Sequence, residues 1–282
     1  MNYELVSILR PGTDNWKSQK ERAEKNNSTL ITLLPEPFFV RLKKEEYPKM
    51  INIVDYVTKR TYDENNSLFF DKVHTVDGAE IFMNHDGVIT LIKDGVTFGE
   101  MRTFPRSRRL VQDIKFFNED GTRDMVEEYT FDGKLFSNLF YYKDKVQEID
   151  FFDDNGDVRL RFYFYEGEIN FITVENPKTK KIIEKYDNMA QFQAAQVAKI
   201  VKPEDEVGIT YLGVELDALK NTQSKNTLYL EEPAFEGGQV KGNLKLIMEN
   251  HIDYVQRVVV SSEDYQKMLD LGLDVSKVEP KQ

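Results

Sequence analysis

Residues 114–164 read IKFFNEDGTRDMVEEYTFDGKLFSNLFYYKDKVQEIDFFDDNGDVRLRFYF. The opening octet, Ile114-Lys115-Phe116-Phe117-Asn118-Glu119-Asp120-Gly121, returns 35 positions later as Ile149-Asp150-Phe151-Phe152-Asp153-Asp154-Asn155-Gly156. Asp-Gly and Asn-Gly pairs supply the positive φ that tight hairpins require. Such pairs recur around this stretch at Asp77-Gly78, Asp86-Gly87, Asp94-Gly95, Asp132-Gly133 and, as a variant, Glu166-Gly167. Between them lie short aromatic and β-branched runs. The pattern predicts an antiparallel meander from Leu68 to Tyr186.

Neighbouring residues on a strand point to opposite faces. Phe116 and Phe117 therefore cannot share one core, nor can Phe151 and Phe152, nor the run Phe162-Tyr163-Phe164-Tyr165. A sheet with one wet face alternates apolar with polar more cleanly. Either the sheet bends or doubles to cover itself, or a partner covers one face. The repeat predicts that Phe116 and Phe151 share one face and that Phe117 and Phe152 share the other.

Outward from the meander the periodicity changes. Tyr3–Leu9 suits a buried strand, and Pro11-Gly12 breaks it. Asp14 or Asn15 is expected to cap a helix running through Lys25, and Thr29–Leu34 is a second strand closed by Pro35-Glu36-Pro37. A helix is expected within Lys43–Lys59. After Tyr186 come a helix at Met189–Val201, strands at Val207–Leu212 and Thr227–Leu230, and a helix at Leu244–Tyr254. A strand at Arg257–Ser261 and a helix at Glu263–Leu271 follow, the helix capped by Ser261 or Ser262 and ended by Gly272. Alternating strands and helices predict a mainly parallel sheet. Neither end has enough elements to bury a sheet alone, so residues 1–45 and 189–282 are expected to form one Rossmann-like domain interrupted by the meander of residues 68–186.

The 282 residues suffice for two domains, and 31% charged with 40% hydrophobic residues is a globular composition. A net charge of −11 argues against a nucleic-acid partner. The single basic strip, Arg106-Ser107-Arg108-Arg109, reads as a solvated loop. There is no cysteine, so disulfides and cysteine-based zinc sites are excluded. His74, His85 and His251 are too scattered to bind a metal together. The N-terminus lacks the features of a signal peptide, and no run reaches the length of a membrane span.

Candidate chemistry is sparse. No nucleophile-elbow or phosphate-loop spacing occurs, and Gly237-Gly238 and Gly242 read as a loop before a helix. Glu119 and Glu127 have an E-x7-E spacing but fall across a hairpin turn and are assigned no role. Asp153–Asp157 resembles a calcium loop without its closing glutamate and reads as a turn. No catalytic residue, metal ligand or cofactor is expected.

Several stretches, in this order, carry a resemblance. They are Leu68–Val73, Arg108–Gly121, Val174–Lys180, Leu228–Pro233, Gly242–Met248 and Val258–Val260 before Tyr265. Together they span about three quarters of the chain, and the order rather than any single motif is what matches. The sequence resembles the stabilising, chaperone-like B subunits (GtfB) of accessory-Sec O-GlcNAc transferases. Those enzymes glycosylate serine-rich-repeat adhesins before export. The resemblance implies an α/β fold with a large antiparallel β insertion: a GT-B-type Rossmann-like half domain with an inserted β-meander add-on domain. It implies a non-catalytic subunit whose partners are the catalytic glycosyltransferase subunit and the serine-rich acceptor. The implied location is the cytoplasm, at most peripherally on the inner face of the cell membrane. The second Rossmann domain of the family would begin where this sequence ends, so the sugar-nucleotide cleft is expected to be missing. With the two-faced aromatic pattern, the resemblance marks Phe116, Phe117, Tyr141, Phe151, Phe152 and Tyr163 as the candidate partner- or acceptor-binding face. The rival readings are an accessory-Sec export factor on a related GT-B scaffold and a β-sheet protein-interaction module.

Overall fold

In chain order the N-terminal elements are Asn2–Val6 (β1), Asp14–Lys25 (α1), Thr29–Thr32 (β2), Phe39–Glu45 (α2), Met50–Asn52 (β3) and Ile53–Thr58 (α3). They are taken from a computed structural model that describes residues 1–281. The meander follows as Glu80–Met83 (β4), Ile89–Lys93 (β5), Val96–Thr103 (β6), Val111–Phe117 (β7), Arg123–Tyr129 (β8), Leu135–Tyr142 (β9), Lys145–Phe152 (β10), Val158–Tyr165 (β11), Glu168–Glu175 (β12) and Ile182–Tyr186 (β13). The chain then runs through Met189–Ile200 (α4), Glu206–Ile209 (β14), Val214–Ala218 (α5), Lys225–Tyr229 (β15), the small hairpin Phe235–Glu236 (β16) and Gln239–Val240 (β17), Gly242–Met248 (α6), Arg257–Val260 (β18), Ser262–Asp270 (α7) and Val278–Pro280 (β19).

Two sheets result. A seven-stranded parallel sheet has the order β19-β18-β15-β14-β1-β2-β3, and a ten-stranded antiparallel sheet runs consecutively from β13 to β4. The chain divides into one unit of Met1–Leu34, Glu46–Ile53 and Ala190–Gln282, and a second of Pro35–Glu45 and Val54–Met189.

In the parallel sheet one face is filled by alternate apolar residues. Leu5, Val207, Ile209, Leu228, Val258 and Val260 are all at most 1% exposed. The other face carries a buried ion pair. Glu4 accepts from Arg22 Nε and Nη2, both at 2.9 Å, and the Arg22 guanidinium lies 4.3 Å over the Tyr229 ring. Burial pushes the Glu4 carboxyl up, against the opposing pull of Arg22. Gly208 is required beside it, because a Cβ there would come within 2.5 Å of Glu4 Oε1.

Several boundaries differ from the sequence expectation. Residues 35–45 group with the meander rather than with the α/β unit, since Phe38 packs edge-on against Phe104 at 5.2 Å. The helix expected within Lys43–Lys59 is split, with β3 between α2 and α3, because Pro48 cannot continue a helix and Met50–Asn52 extends the parallel sheet beside β2. Thr13, not Asp14 or Asn15, caps α1 through its hydroxyl. The helix expected over Leu244–Tyr254 starts at Gly242 and stops at Met248, just before Asn250 takes a positive φ of 61°. The Leu68–Val73 stretch is not a strand. Phe69 forms a single bridge to Leu110, and Phe70–Lys72 is a 3-10 turn.

Candidate functional site: one face of the antiparallel sheet

The register of the meander decides which side chains share a face. Cross-strand partners project to the same side. From β7 to β12 the partners run Phe116, Met125, Phe140, Glu148, Tyr163, Phe171. This is one transverse row across six strands, and all six residues are half-buried. The Tyr163 and Phe171 rings meet at 5.8 Å between centroids. Hairpin geometry sets the row in place. Gly121, Gly133 and Gly156 all sit at positive φ in their turns, as the Asp-Gly and Asn-Gly reading requires.

The neighbouring row on the same face is polar: Glu127, Asn138, Asp150, Arg161, Thr173. Arg161 serves three carboxylates, Glu148 at 2.5 Å, Asp150 at 3.1 Å and Glu175 at 2.9 Å. Asp150 is 5% exposed. Burial, aided by a hydrogen bond to Glu148 and by the charges of Glu148 and Glu175, outweighs Arg161 and raises its carboxyl to about 7. Asn138 Oδ1 and Asp150 Oδ1 are buried without a hydrogen-bond partner among the described residues.

The opposite face holds a true core over the same strands. Val126, Phe151, Leu160, Phe162, Ile172 and Val174 are buried there. The Phe136, Phe151 and Phe162 rings pack edge-to-face at 5.7 and 4.9 Å. Arg60 closes the end of this layer. It donates to Leu135 O at 2.7 Å, Phe152 O at 2.8 Å and Thr130 Oγ1 at 3.2 Å, and lies 5.4 Å over the Phe136 ring. Burial lowers its pKa, while Asp55, Asp154, Asp132 and Asp153 oppose the shift.

These positions correct the repeat-based expectation. Phe116 and Phe151 do not share a face. Phe116 aligns with Glu148, and Phe151 is an odd number of residues further along β10, on the other side. The two sequence copies lie three strands apart, on β7 and β10, and the register carried across β8 and β9 sets Phe116 level with Glu148, three residues before Phe151. Bulges between Phe116 and Phe117 and between Phe151 and Phe152 further interrupt strict alternation. Of Phe151 and Phe152, one was expected in the core and the other on the partner-binding face; both are buried, at 1% and 7% exposed. Phe117 and Tyr141 are half-buried but outside the row, and Arg123 covers the Tyr141 ring at 4.5 Å. Of the six candidates only Phe116 and Tyr163 fall in the row. Met125, Phe140 and Phe171 were missed, because a bulge in each of the hairpins β7–β8, β8–β9 and β11–β12 shifts the register by one between the turn and these residues. Glu127 accepts from the Tyr129 hydroxyl at 2.7 Å, and Glu119 is exposed beside the β7–β8 turn, so the two form no site together.

No family model matches the sequence, and no curated protein matches it. Solved structures do. A structure of accessory secretory proteins 1, 2 and 3 in Streptococcus pneumoniae is similar at 16% identity over 99% of this chain and 61% of that one, with a TM-score of 0.74. A GtfA/B complex bound to UDP and GlcNAc matches at 16% identity over 99% of this chain and 61% of that one, with a TM-score of 0.69. The pneumococcal O-GlcNAc transferase GtfA in complex with UDP and GlcNAc matches at 12% identity over 100% of this chain and 58% of that one, with a TM-score of 0.74. The fold is of the GT-B glycosyltransferase type. The chain spans about 60% of the length of these structures. Its parallel sheet is the Rossmann-like half, and its ten-stranded sheet is the inserted antiparallel part. Among the described residues no helix is long and apolar enough to cross a membrane.

Proposed function

We propose that this chain is a non-catalytic, stabilising subunit of an O-GlcNAc transferase complex of the accessory-Sec type, acting on serine-rich-repeat adhesins before export. The observation that carries this reading is the half-buried row Phe116, Met125, Phe140, Tyr163 and Phe171 on a sheet whose opposite face already has its own core. Aromatic side chains and Met are the residue types enriched where protein partners dock. The GT-B-type fold shared with GtfA/B complexes supports a glycosyltransferase subunit as the partner. An extended serine-rich acceptor has little apolar surface, so its recognition relies on backbone hydrogen bonds and shallow aromatic contact. On this reading the chain works in the cytoplasm, at most peripherally attached to the membrane.

The test is co-purification from native cytoplasm, with mass identification of bound proteins and turnover of UDP-GlcNAc by the isolated chain. A bound glycosyltransferase and no turnover by the chain alone are expected. Turnover abolished by Glu127→Gln would overturn the non-catalytic reading. The similarity to accessory secretory proteins favours a second reading, an export factor on the same scaffold. Co-purified secretion factors without a transferase would select it.

A further inference from the structure

The basic strip of this acidic chain lies in the loop between β6 and β7. The loop is held from within. Phe104 N donates to Leu110 O at 2.9 Å, Ser107 N donates to Phe104 O at 3.0 Å, and Ser107 Oγ accepts from Arg109 N at 3.2 Å and Leu110 N at 2.7 Å. Its root, Phe104, is 1% exposed, wedged edge-on between the rings of Phe38 and Phe131 at 5.2 and 5.3 Å. On this fixed base Arg106 and Arg108 adopt φ of 72° and 55°. Side chains rarely adopt this left-handed region, and glycine enters it freely. Both arginines are exposed, and neither makes an ion pair or a side-chain hydrogen bond among the described residues. Arg102, Arg123 and Arg161 in the same sheet all have carboxylate partners.

Two hollows flank the loop, and Arg106 lines both. One, of about 570 Å³, lies against the Asn84–Val88 turn and includes Arg102 and Arg108, together with Asp86, whose carboxylate accepts from Val88 N at 3.0 Å. The other, of about 390 Å³, includes Ser107 with Arg41 and Lys44, whose charges are already paired with Glu45 at 2.8 Å and Glu64 at 2.7 Å. In the first, the Asp113 carboxylate already occupies Arg102, leaving the guanidinium forks of Arg106 and Arg108 free for an anion.

We propose that the Arg106–Arg108 loop binds phosphate oxygens, with each guanidinium offering the paired donors that match a phosphate. The phosphate belongs either to an anionic lipid headgroup or to a soluble phosphate compound. This site is independent of the aromatic row. Arg106→Gly with Arg108→Gly removes both side chains and also suits the backbone, so the variant is expected to melt at or above the wild-type temperature. Two probes are used: flotation with phosphatidylcholine–phosphatidylglycerol vesicles against phosphatidylcholine alone, and calorimetric titration with pyrophosphate. Wild-type protein is expected to bind at least one probe, and the double variant to bind it about tenfold more weakly or worse. Binding to the anionic vesicles alone assigns the headgroup, and binding to pyrophosphate alone assigns a soluble phosphate compound. Absence of binding to both, or equal binding by the folded double variant, overturns the proposal.

Discussion

Two aromatic rows lie on opposite faces of the same sheet, built from the same residue types. Phe136, Phe151 and Phe162 are at most 1% exposed, and their rings pack edge-to-face. Phe116, Phe140, Tyr163 and Phe171 remain half-buried. Composition does not separate them; cover does. The Arg60 segment caps the end of the first row, whereas Leu68, Phe70 and Val73 cover the second face only near β5–β7, around Ile89, Leu91, Met101 and Ile114. The core therefore changes face along the sheet. The remaining stretch of the second row stays half-buried, and it is there that the proposed partner would dock.

The largest expected effect is in the buried row. Phe151→Ala should destabilise the protein by about 3–5 kcal/mol, read from urea unfolding, because the cavity is walled by Phe136 and Phe162. A loss below about 1 kcal/mol would mean that the two rows do not differ as described. Arg60→Ala comes next. It strands the carbonyls of Leu135 and Phe152 and should cost about 2–4 kcal/mol, measured by the same unfolding curves. In the half-buried row, Phe140→Ala should leave folding within about 1 kcal/mol while weakening association with the proposed catalytic subunit by about 1–3 kcal/mol. Equal losses of stability for Phe140→Ala and Phe151→Ala would show that the sheet covers both faces itself.

The last effect is electrostatic and is read in pH dependence rather than at a single pH. Folding raises the Asp150 carboxyl from an ordinary 3.8 to about 7. Between these values the folded chain binds more protons than the unfolded one, so this group's contribution to stability falls as pH rises from about 4 to 7 and is level above that. Asp150→Asn should flatten that slope in melting temperature against pH. An unchanged slope would remove Asp150 as its source.

Much of the fold is legible in residue types alone. The Asp-Gly and Asn-Gly turns announce the meander because few other residues tolerate their backbone geometry, and the Val- and Leu-rich runs before polar helical stretches announce the parallel sheet. The face assignment is where sequence reasoning went astray. The repeated octet invites pairing Phe116 with Phe151, yet the register across the two intervening strands sets Phe116 level with Glu148 and leaves Phe151 on the other face. The bulges that disturb alternation beside Phe117 and Phe152 have no clear residue signature in this chain. The Arg60 clamp was invisible as well, because its acceptors are backbone carbonyls 75 and 92 positions away.

By itself, then, the sequence determined the presence of two sheet types, the hairpin positions, and an excess of aromatic side chains over what one face can hold. These are local properties, dictated by φ preference and by periods of two and of 3.6 residues. Which aromatics became core and which stayed half-exposed was decided only in the tertiary structure. That choice depends on strand register, on the direction of each strand, and on which distant segment covers each face. None of these is encoded in a local window, because cross-strand partners such as Phe116, Phe140 and Phe171 meet only after the intervening strands have folded between them.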